Sequence, residues 1–189
     1  MLRFFRRYGF KSILSVSLAL FTILPLPADI FVGTNGQLTF STPFDQKIYS
    51  TGIFKNHSGE SPVLFGNLDL EQIFNICRTF RYVSDSDGDY WQSAEETEAK
   101  HSGDCEDKAI WLFSRLKMNG YESIRLVIGK YRPVDRQYHV WVTYQDPLGN
   151  EYLLDPTKQK HIWTMGQFSS DFYRPIFSFD GVNRYRHTA

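Results

Sequence analysis

Gly103-Asp104-Cys105-Glu106-Asp107-Lys108-Ala109-Ile110-Trp111-Leu112-Phe113-Ser114-Arg115-Leu116-Lys117 reads as a cysteine on the first turn of an amphipathic helix, and the rest of the chain can be placed around it. Cys105, Ala109, Leu112 and Leu116 fall at i, i+4, i+7 and i+11, one apolar stripe at helical period, so the thiol faces inward. Gly103 breaks the chain before the helix, Asp104 is placed to cap the free amides, and Asn119-Gly120 supplies the stop. At such a position the unpaired N–H groups and the helix dipole favour a thiolate over a thiol of ordinary pKa about 8.5, and the same amides can hold an oxyanion. Asp104, Glu106 and Asp107 act the other way. Three negative charges beside the sulfur raise its pKa unless they are capped, turned away or bound to a cation. The stretch alone supports two readings, a nucleophile and a small apolar core cysteine.

Downstream the period changes to two. Ile124, Leu126 and Ile128 alternate with Arg125 and Val127 before Gly129, and Tyr138, Val140, Val142 and Tyr144 alternate with His139, Trp141 and Thr143. Asp146-Pro147-Leu148-Gly149-Asn150 is a turn by composition, and Glu151-Tyr152-Leu153-Leu154-Asp155 runs back to Pro156, which predicts an antiparallel hairpin. A loop of three residues would set His139 opposite Asp155, and one of five makes them diagonal neighbours on one face; a loop of two or four separates them. Five fits the turn residues best. The face carrying Tyr138, Val140, Val142, Tyr152 and Leu154 then reads as core, with His139 and Asp155 on the other. A cysteine at a helix start, an imidazole on a strand and a carboxylate on the next strand form a Cys-His-acid set for acyl transfer: Cys105 nucleophile, His139 base, Asp155 orienter.

The 189 residues carry 21 basic and 21 acidic side chains and zero formal charge, which gives no footing for nucleic acid. Arg3, Arg6, Arg7 and Lys11 precede an apolar run over 12–24, then Pro25-Leu26-Pro27-Ala28, the layout of a secretory signal; an uncleaved membrane anchor through 12–28 is the alternative. Either version puts the domain outside the cytoplasm, in the periplasm or anchored facing it. The chain thus divides into 1–28, a wrap of irregular chain or edge strands over 29–68, and a catalytic domain over 69–189. Cys77 lies in a second helical stripe with Leu70, Ile73, Phe74 and Phe80 and reads as core rather than as a disulfide partner. Ser93 and Glu96 form a capping box that predicts a short helix. Asp85, Asp87, Asp89, Ser93 and Glu96 fall at positions 1, 3, 5, 9 and 12 of a calcium-loop pattern, but Tyr90 stands where that loop needs glycine, so the stretch reads as a solvated acidic turn. His57, His101, His161 and His187 read as surface.

Trp91, Glu95, Gly103-Asp104-Cys105-Glu106-Asp107 with Ala109, His139-Val140-Trp141-Val142 and Leu154-Asp155-Pro156-Thr157 resemble the transglutaminase-like superfamily. Arg81-Tyr82 leading to Asp89-Tyr90-Trp91 resembles, more narrowly, the bacterial transglutaminase-like cysteine proteinases, some of which are calcium-dependent periplasmic proteases that release surface adhesins. The resemblance spans about residues 70 to 160 and implies a papain-like α+β fold, with the nucleophile helix packed on an antiparallel sheet. It also implies Trp91 near the oxyanion site, and calcium at Asp104 and Glu106 with Asp107 as a further candidate. A bound cation would answer the charge problem beside the sulfur. His-Val-Trp-Val and Asp-Pro-Thr stand closer to the broad superfamily than to the adhesin proteases, which leaves the substrate open.

The sequence therefore predicts an exported thiol hydrolase, a cysteine peptidase that cleaves peptide or isopeptide bonds through an acyl-enzyme at Cys105. Its substrate would be a protein or peptide such as a cell-envelope or surface protein. Transamidation, with an amine resolving the thioester, and a non-catalytic envelope binding module on the same fold are the alternatives.

Overall fold

A computed structural model describes residues 30–32, 38–53, 68–86, 88–167 and 171–187; for 30–32 and 38–40 only the backbone is considered. The leader over 1–28 and His57 lie outside the described residues. In chain order the elements are β1 (Ile30–Val32), β2 (Leu38–Phe40), α1 (Asp45–Ser50), α2 (Leu70–Thr79), β3 (Arg81–Tyr82), α3 (Ala94–Lys100), β4 (Ser102–Gly103), α4 (Cys105–Met118), β5 (Ile124–Lys130), β6 (His139–Gln145), β7 (Glu151–Leu154), β8 (Trp163–Thr164), β9 (Arg174–Phe179) and β10 (Arg184–Arg186). Six of the strands form one antiparallel sheet in the order β10-β9-β5-β6-β7-β8. No helix among the described residues is long and apolar enough to cross a membrane.

The helix starts follow their side-chain chemistry. Asp69 and Ser93 each accept the N–H three residues on, and Gln72 and Glu96 reach back to the cap, so α2 and α3 both begin on complete capping boxes. Helix α4 packs on β5 and β6, burying Ala109, Leu112 and Leu116 against residues such as Leu126, Ile128, Val140 and Val142. Removing a leucine of this kind from water contributes about 1.5–3 kcal/mol. The apolar surface of α4 is wider than the single stripe expected: Ile110, Trp111 and Phe113 are buried too, because α2 and α3 cover its other sides.

The β6–β7 register pairs Gln145 with Glu151 and Val142 with Leu154, which leaves Asp146–Asn150 as the five-residue loop predicted from composition. Asp146 organises it by accepting the Leu148 and Asn150 N–H groups, and Gly149 takes φ +87. The face assignments need two corrections. Tyr138, expected in the core, is 47% exposed and lies edge-on to Phe44. The opposite face is itself buried, with Val127, Trp141, Leu153 and Tyr173 forming a second cluster beneath Tyr131 and Met165. The sheet is therefore covered on both sides. Between Ile128 and Gly129 the β5–β9 register shifts, and Gly129 is pressed so closely on β9 that a Cβ there would lie 2.0 Å from the Arg174 carbonyl oxygen.

The wrap also differs from expectation. It contains α1, and Phe44, Ile48 and Ile53 are buried in the same core as α4. Asp45 binds the Arg184 guanidinium at 3.1 Å, and Phe44 contacts Phe177 at 6.0 Å between ring centroids, so this segment is joined to the C-terminal hairpin.

Candidate active site

Cys105 opens α4, half-buried, and the backbone N–H of Val140 faces its sulfur across the helix–sheet contact. That peptide follows His139, the first residue of β6, so the packing of α4 on the sheet is what brings the thiol to the imidazole's strand. The His139 ring is buried, and its Nε2 lies 2.6 Å from Asp155 Oδ2, one residue beyond β7. Cys105, His139 and Asp155 thus lie toward one end of the sheet, the hairpin register bringing the last two together and the α4 packing adding the first.

The carboxylate of Asp155 is fully buried and heavily bonded. Oδ1 accepts the Thr157 N–H (2.9 Å), the Thr157 hydroxyl (2.6 Å) and the Lys158 N–H (3.1 Å); Oδ2 accepts the Tyr173 hydroxyl at 3.0 Å as well as the imidazole. Burial alone would raise this carboxyl, but hydrogen bonds from His139 and Thr157 outweigh it and hold it below the ordinary carboxylate range. Thr157 and the Lys158 amide form the Asx turn that Asp-Pro-Thr encodes. Tyr173 and Gln159, whose Oε1 accepts the Asp155 N–H at 3.1 Å, carry no such local signal.

The sulfur's other side is acidic. The Cys105 thiol is 3.1 Å from Glu106 Oε2, and burial, followed by the charge of Glu106, pushes its pKa upward. The carboxylates beside it are not turned away. Burial and the Asp104 charge push Glu106 up to about 9. Asp104 is raised by burial, with Asp85 and Asp89 reinforcing the effect against a hydrogen bond from Glu106. Its Oδ1 is buried with no hydrogen-bond partner, while its side chain and that of Asp107 form the reciprocal capping box at the start of α4.

Asp107 supplies the returning half of that box, its Oδ2 accepting the Asp104 N–H at 3.3 Å. The same carboxylate binds Gln92 twice, Oδ1 to the backbone N–H (2.8 Å) and Oδ2 to the side-chain amide (2.5 Å). Asp107 therefore clamps the Trp91-Gln92 loop to the first turn of α4. Gly103 allows the close fit, since a Cβ there would meet the Asp107 Cβ at 2.5 Å.

One cation-capable group of acidic side chains occurs among the described residues: oxygens of Asp85, Asp104 and Glu106 lie within 4.8 Å of one another. Two of the three nominated ligands are in it and Asp107 is not. Asp85 enters instead, from the acidic turn that read as solvated. Among the described residues of the twelve-residue calcium-loop pattern, Glu96 is taken up by the Ser93 N–H and the Tyr90 hydroxyl, and Asp89 pairs with Lys47. Asp87 lies outside the described residues.

Trp91 is buried and stacked on Phe44 at 5.9 Å, with its indole N–H donated to Asp89 Oδ1 at 3.0 Å. Cys77 is fully buried, its thiol donating to the Lys108 carbonyl at 3.2 Å. His101 and His161 are exposed, whereas His187, expected at the surface, is half-buried against the Ser178 hydroxyl at 2.9 Å.

Comparison with known proteins gives no match to any family model and none to a curated protein sequence. Among solved structures, calcium-bound LapG of Legionella pneumophila is similar with a TM-score of 0.54 and 22% sequence identity, over 78% of this chain and 81% of that one. EGTA-treated LapG gives a TM-score of 0.56 at 22% identity, over 79% and 81%. With helix α4 laid on an antiparallel sheet and these structural neighbours, the chain has the transglutaminase-like fold.

Proposed function

We propose that this chain is an exported cysteine peptidase that cleaves peptide or isopeptide bonds through a thioester at Cys105. The observation that carries the reading is the convergence at one sheet end: a thiol beside the Val140 N–H and, on the preceding residue, an imidazole held at 2.6 Å by a buried carboxylate. With Nε2 engaged by Asp155, the Nδ1 of His139 is the ring nitrogen left to work on the thiol. It takes the proton as the sulfur attacks the carbonyl carbon, then gives it to the departing amine as the C–N bond breaks. Water, deprotonated by the same nitrogen, cleaves the thioester and restores the thiol. Asp155 stays ionised and stabilises the imidazolium. The oxyanion would be met by amides at the start of α4 and by the Trp91 indole N–H on leaving Asp89. The leader-like residues 1–28 support export, with a protein of the cell envelope as the substrate.

A calcium ion fits beside the nucleophile, because Asp85, Asp104 and Glu106 are hard oxygen donors in reach of one point, and Asp104 Oδ1 is buried without a partner. When bound there it supplies positive charge that keeps the three carboxylates ionised. With those charges neutralised, burial remains the main brake on thiol ionisation, and His139 is placed to overcome it. LapG, of the same fold, has been solved both calcium-bound and EGTA-treated, which agrees with a role for the ion.

The test is iodoacetamide labelling of the folded chain with and without calcium, read by mass spectrometry at Cys105 and Cys77. Selective labelling of Cys105 at neutral pH, lost in His139→Ala, is the expected result. A Cys105 no faster than an ordinary thiol sinks the peptidase reading and leaves a binding module.

A further inference from the structure

We infer that Tyr173 is a positioning residue of the site: its hydroxyl shares Asp155 Oδ2 with the His139 imidazole and so sets both the place of the carboxylate and the strength of its hold on the imidazole proton. The inference rests on the reading of His139 and Asp155 as base and orienter.

Its first support is backbone geometry. Tyr173 adopts φ +55, a left-handed conformation that is uncommon for a bulky residue and costs roughly 1–2 kcal/mol. A bond from its N–H to the Tyr131 carbonyl at 2.9 Å fixes the kink just before β9. The tyrosine is 5% exposed, and its ring meets Trp141 at 5.4 Å and Tyr131 at 5.1 Å, both edge-on, so the side chain has one orientation. In that orientation the hydroxyl reaches Asp155 Oδ2 at 3.0 Å. A strained residue whose ring is locked so that a donor meets a buried carboxylate fits the pattern of strain kept at functional sites. A phenylalanine would fill the second core equally well.

The chemistry follows from counting lone pairs. The carboxylate offers about four lone-pair sites; Oδ2 receives His139 and Tyr173, while Oδ1 is crowded by three donors, the Thr157 N–H, the Thr157 hydroxyl and the Lys158 N–H. A second donor on Oδ2 draws electron density from the oxygen that faces the imidazole and makes it a weaker acceptor. The imidazolium is then stabilised enough to form but not so strongly that it withholds its proton from the leaving amine. Other ionisable groups face this pair from every side: Tyr131 beyond β5, its ring 6.0 Å from His139; Lys158, whose ammonium lies 5.5 Å from the Tyr131 ring; and Cys105 and Lys108 on α4, Lys108 acting on Asp155. Among these, Tyr173 is the one that bonds the oxygen His139 uses. Burial and the Asp155 charge raise the Tyr173 hydroxyl's pKa, so it stays a neutral donor throughout the working range.

The experiment titrates His139 by NMR in the full, calcium-supplied chain labelled with nitrogen-15 histidine, comparing the unaltered protein with Tyr173→Phe and with 3-fluorotyrosine placed at 173. Losing the hydroxyl strengthens the Asp155 hold and moves the His139 midpoint up by about half a pH unit, a fraction of the one to two units such a charged hydrogen bond commands. Fluorination makes the phenol a stronger donor and moves the midpoint down. Opposite shifts from two isosteric changes cannot arise from packing alone. An unmoved midpoint in a folded Tyr173→Phe chain, or shifts of the same sign, overturns the inference. If Tyr173→Phe fails to fold, the fluorinated chain decides, down in favour and unmoved or up against. Because the readout is His139 and not turnover, the two failures are distinguishable: an inert Cys105 alongside opposite shifts would remove the peptidase reading and leave only the coupling of Tyr173 to His139 through Asp155, whereas a reactive Cys105 with an unmoved midpoint would remove this inference alone.

Discussion

The two charged halves of the site are built on opposite rules. Around Asp155 every carboxylate oxygen is bonded and the buried charge is stabilised, so its pKa is held down despite complete burial. Around Cys105 the carboxylates face one another, one oxygen of Asp104 has no partner, and burial pushes Asp104 and Glu106 up. In the first half the carboxylate itself is fully bonded within the chain, and the orphaned atom is the neutral Gln159 Nε2. The second gathers acidic groups that burial and mutual repulsion push toward their protonated forms, a setting that a cation would relieve.

Substitutions of the same kind should therefore have opposite signs in the two halves. The largest effect is expected from Asp155→Asn, which removes the charge that orients and stabilises the His139 cation: alkylation of Cys105 at neutral pH should slow by about a hundredfold or more, and thermal stability should drop, since His139 and Tyr173 lose their anionic partner. Calcium comes next. At a hundred times its dissociation constant it should stabilise the chain by about 2.7 kcal/mol, seen as a rise of several degrees in Tm that EGTA reverses. Asp104→Asn should abolish that rise and, in chelator, make the chain more stable by about 1 kcal/mol, because a buried unpaired charge is gone. A destabilised Asp104→Asn in chelator would break the contrast between the halves.

The pH response sharpens it further. Glu106 goes from an ordinary 4.5 to about 9 in the fold, so the native state binds the proton more tightly than the unfolded chain. Stability in chelator should then fall as pH rises through the window from about 4.5 to about 9, and calcium should flatten that slope; thermal melts across the range would check both. The smallest effect belongs to the rim. Lys47 pairs with a half-exposed Asp89, and Lys47→Gln should cost less than about 1 kcal/mol by denaturant melts.

The portion of this architecture legible in the sequence is the portion fixed by local chemistry. Ser93 announced its helix because a capping box lies within four residues, and the turn composition of 146–150 favoured the five-residue loop that pairs Gln145 with Glu151. That register was enough to bring His139 to Asp155. Helix α1 was not legible, being six residues long and carrying a single buried position, Ile48. Alternation along β6 assigned faces but could not tell that both would be covered, since Trp141 and Leu153 are buried by Tyr173 from far along the chain. Asp85 was quoted for the wrong pattern: its partners are Asp104 and Glu106, brought to it by the β3–β4 pairing rather than by spacing along a loop.

Gly129 bears on how such a site would look to genetics. It has no side chain and touches no reacting group, yet a methyl there would collide with the Arg174 carbonyl oxygen and, at 2.7 Å, with the Trp141 ring. Relief would require β9 to move off β5, and Arg174 is bonded in sequence to Tyr173. A saturation screen scored on activity alone would rank Gly129 beside Asp155, and only a parallel abundance or melting screen would separate a position that sets the spacing of two strands from one proposed to orient the imidazole.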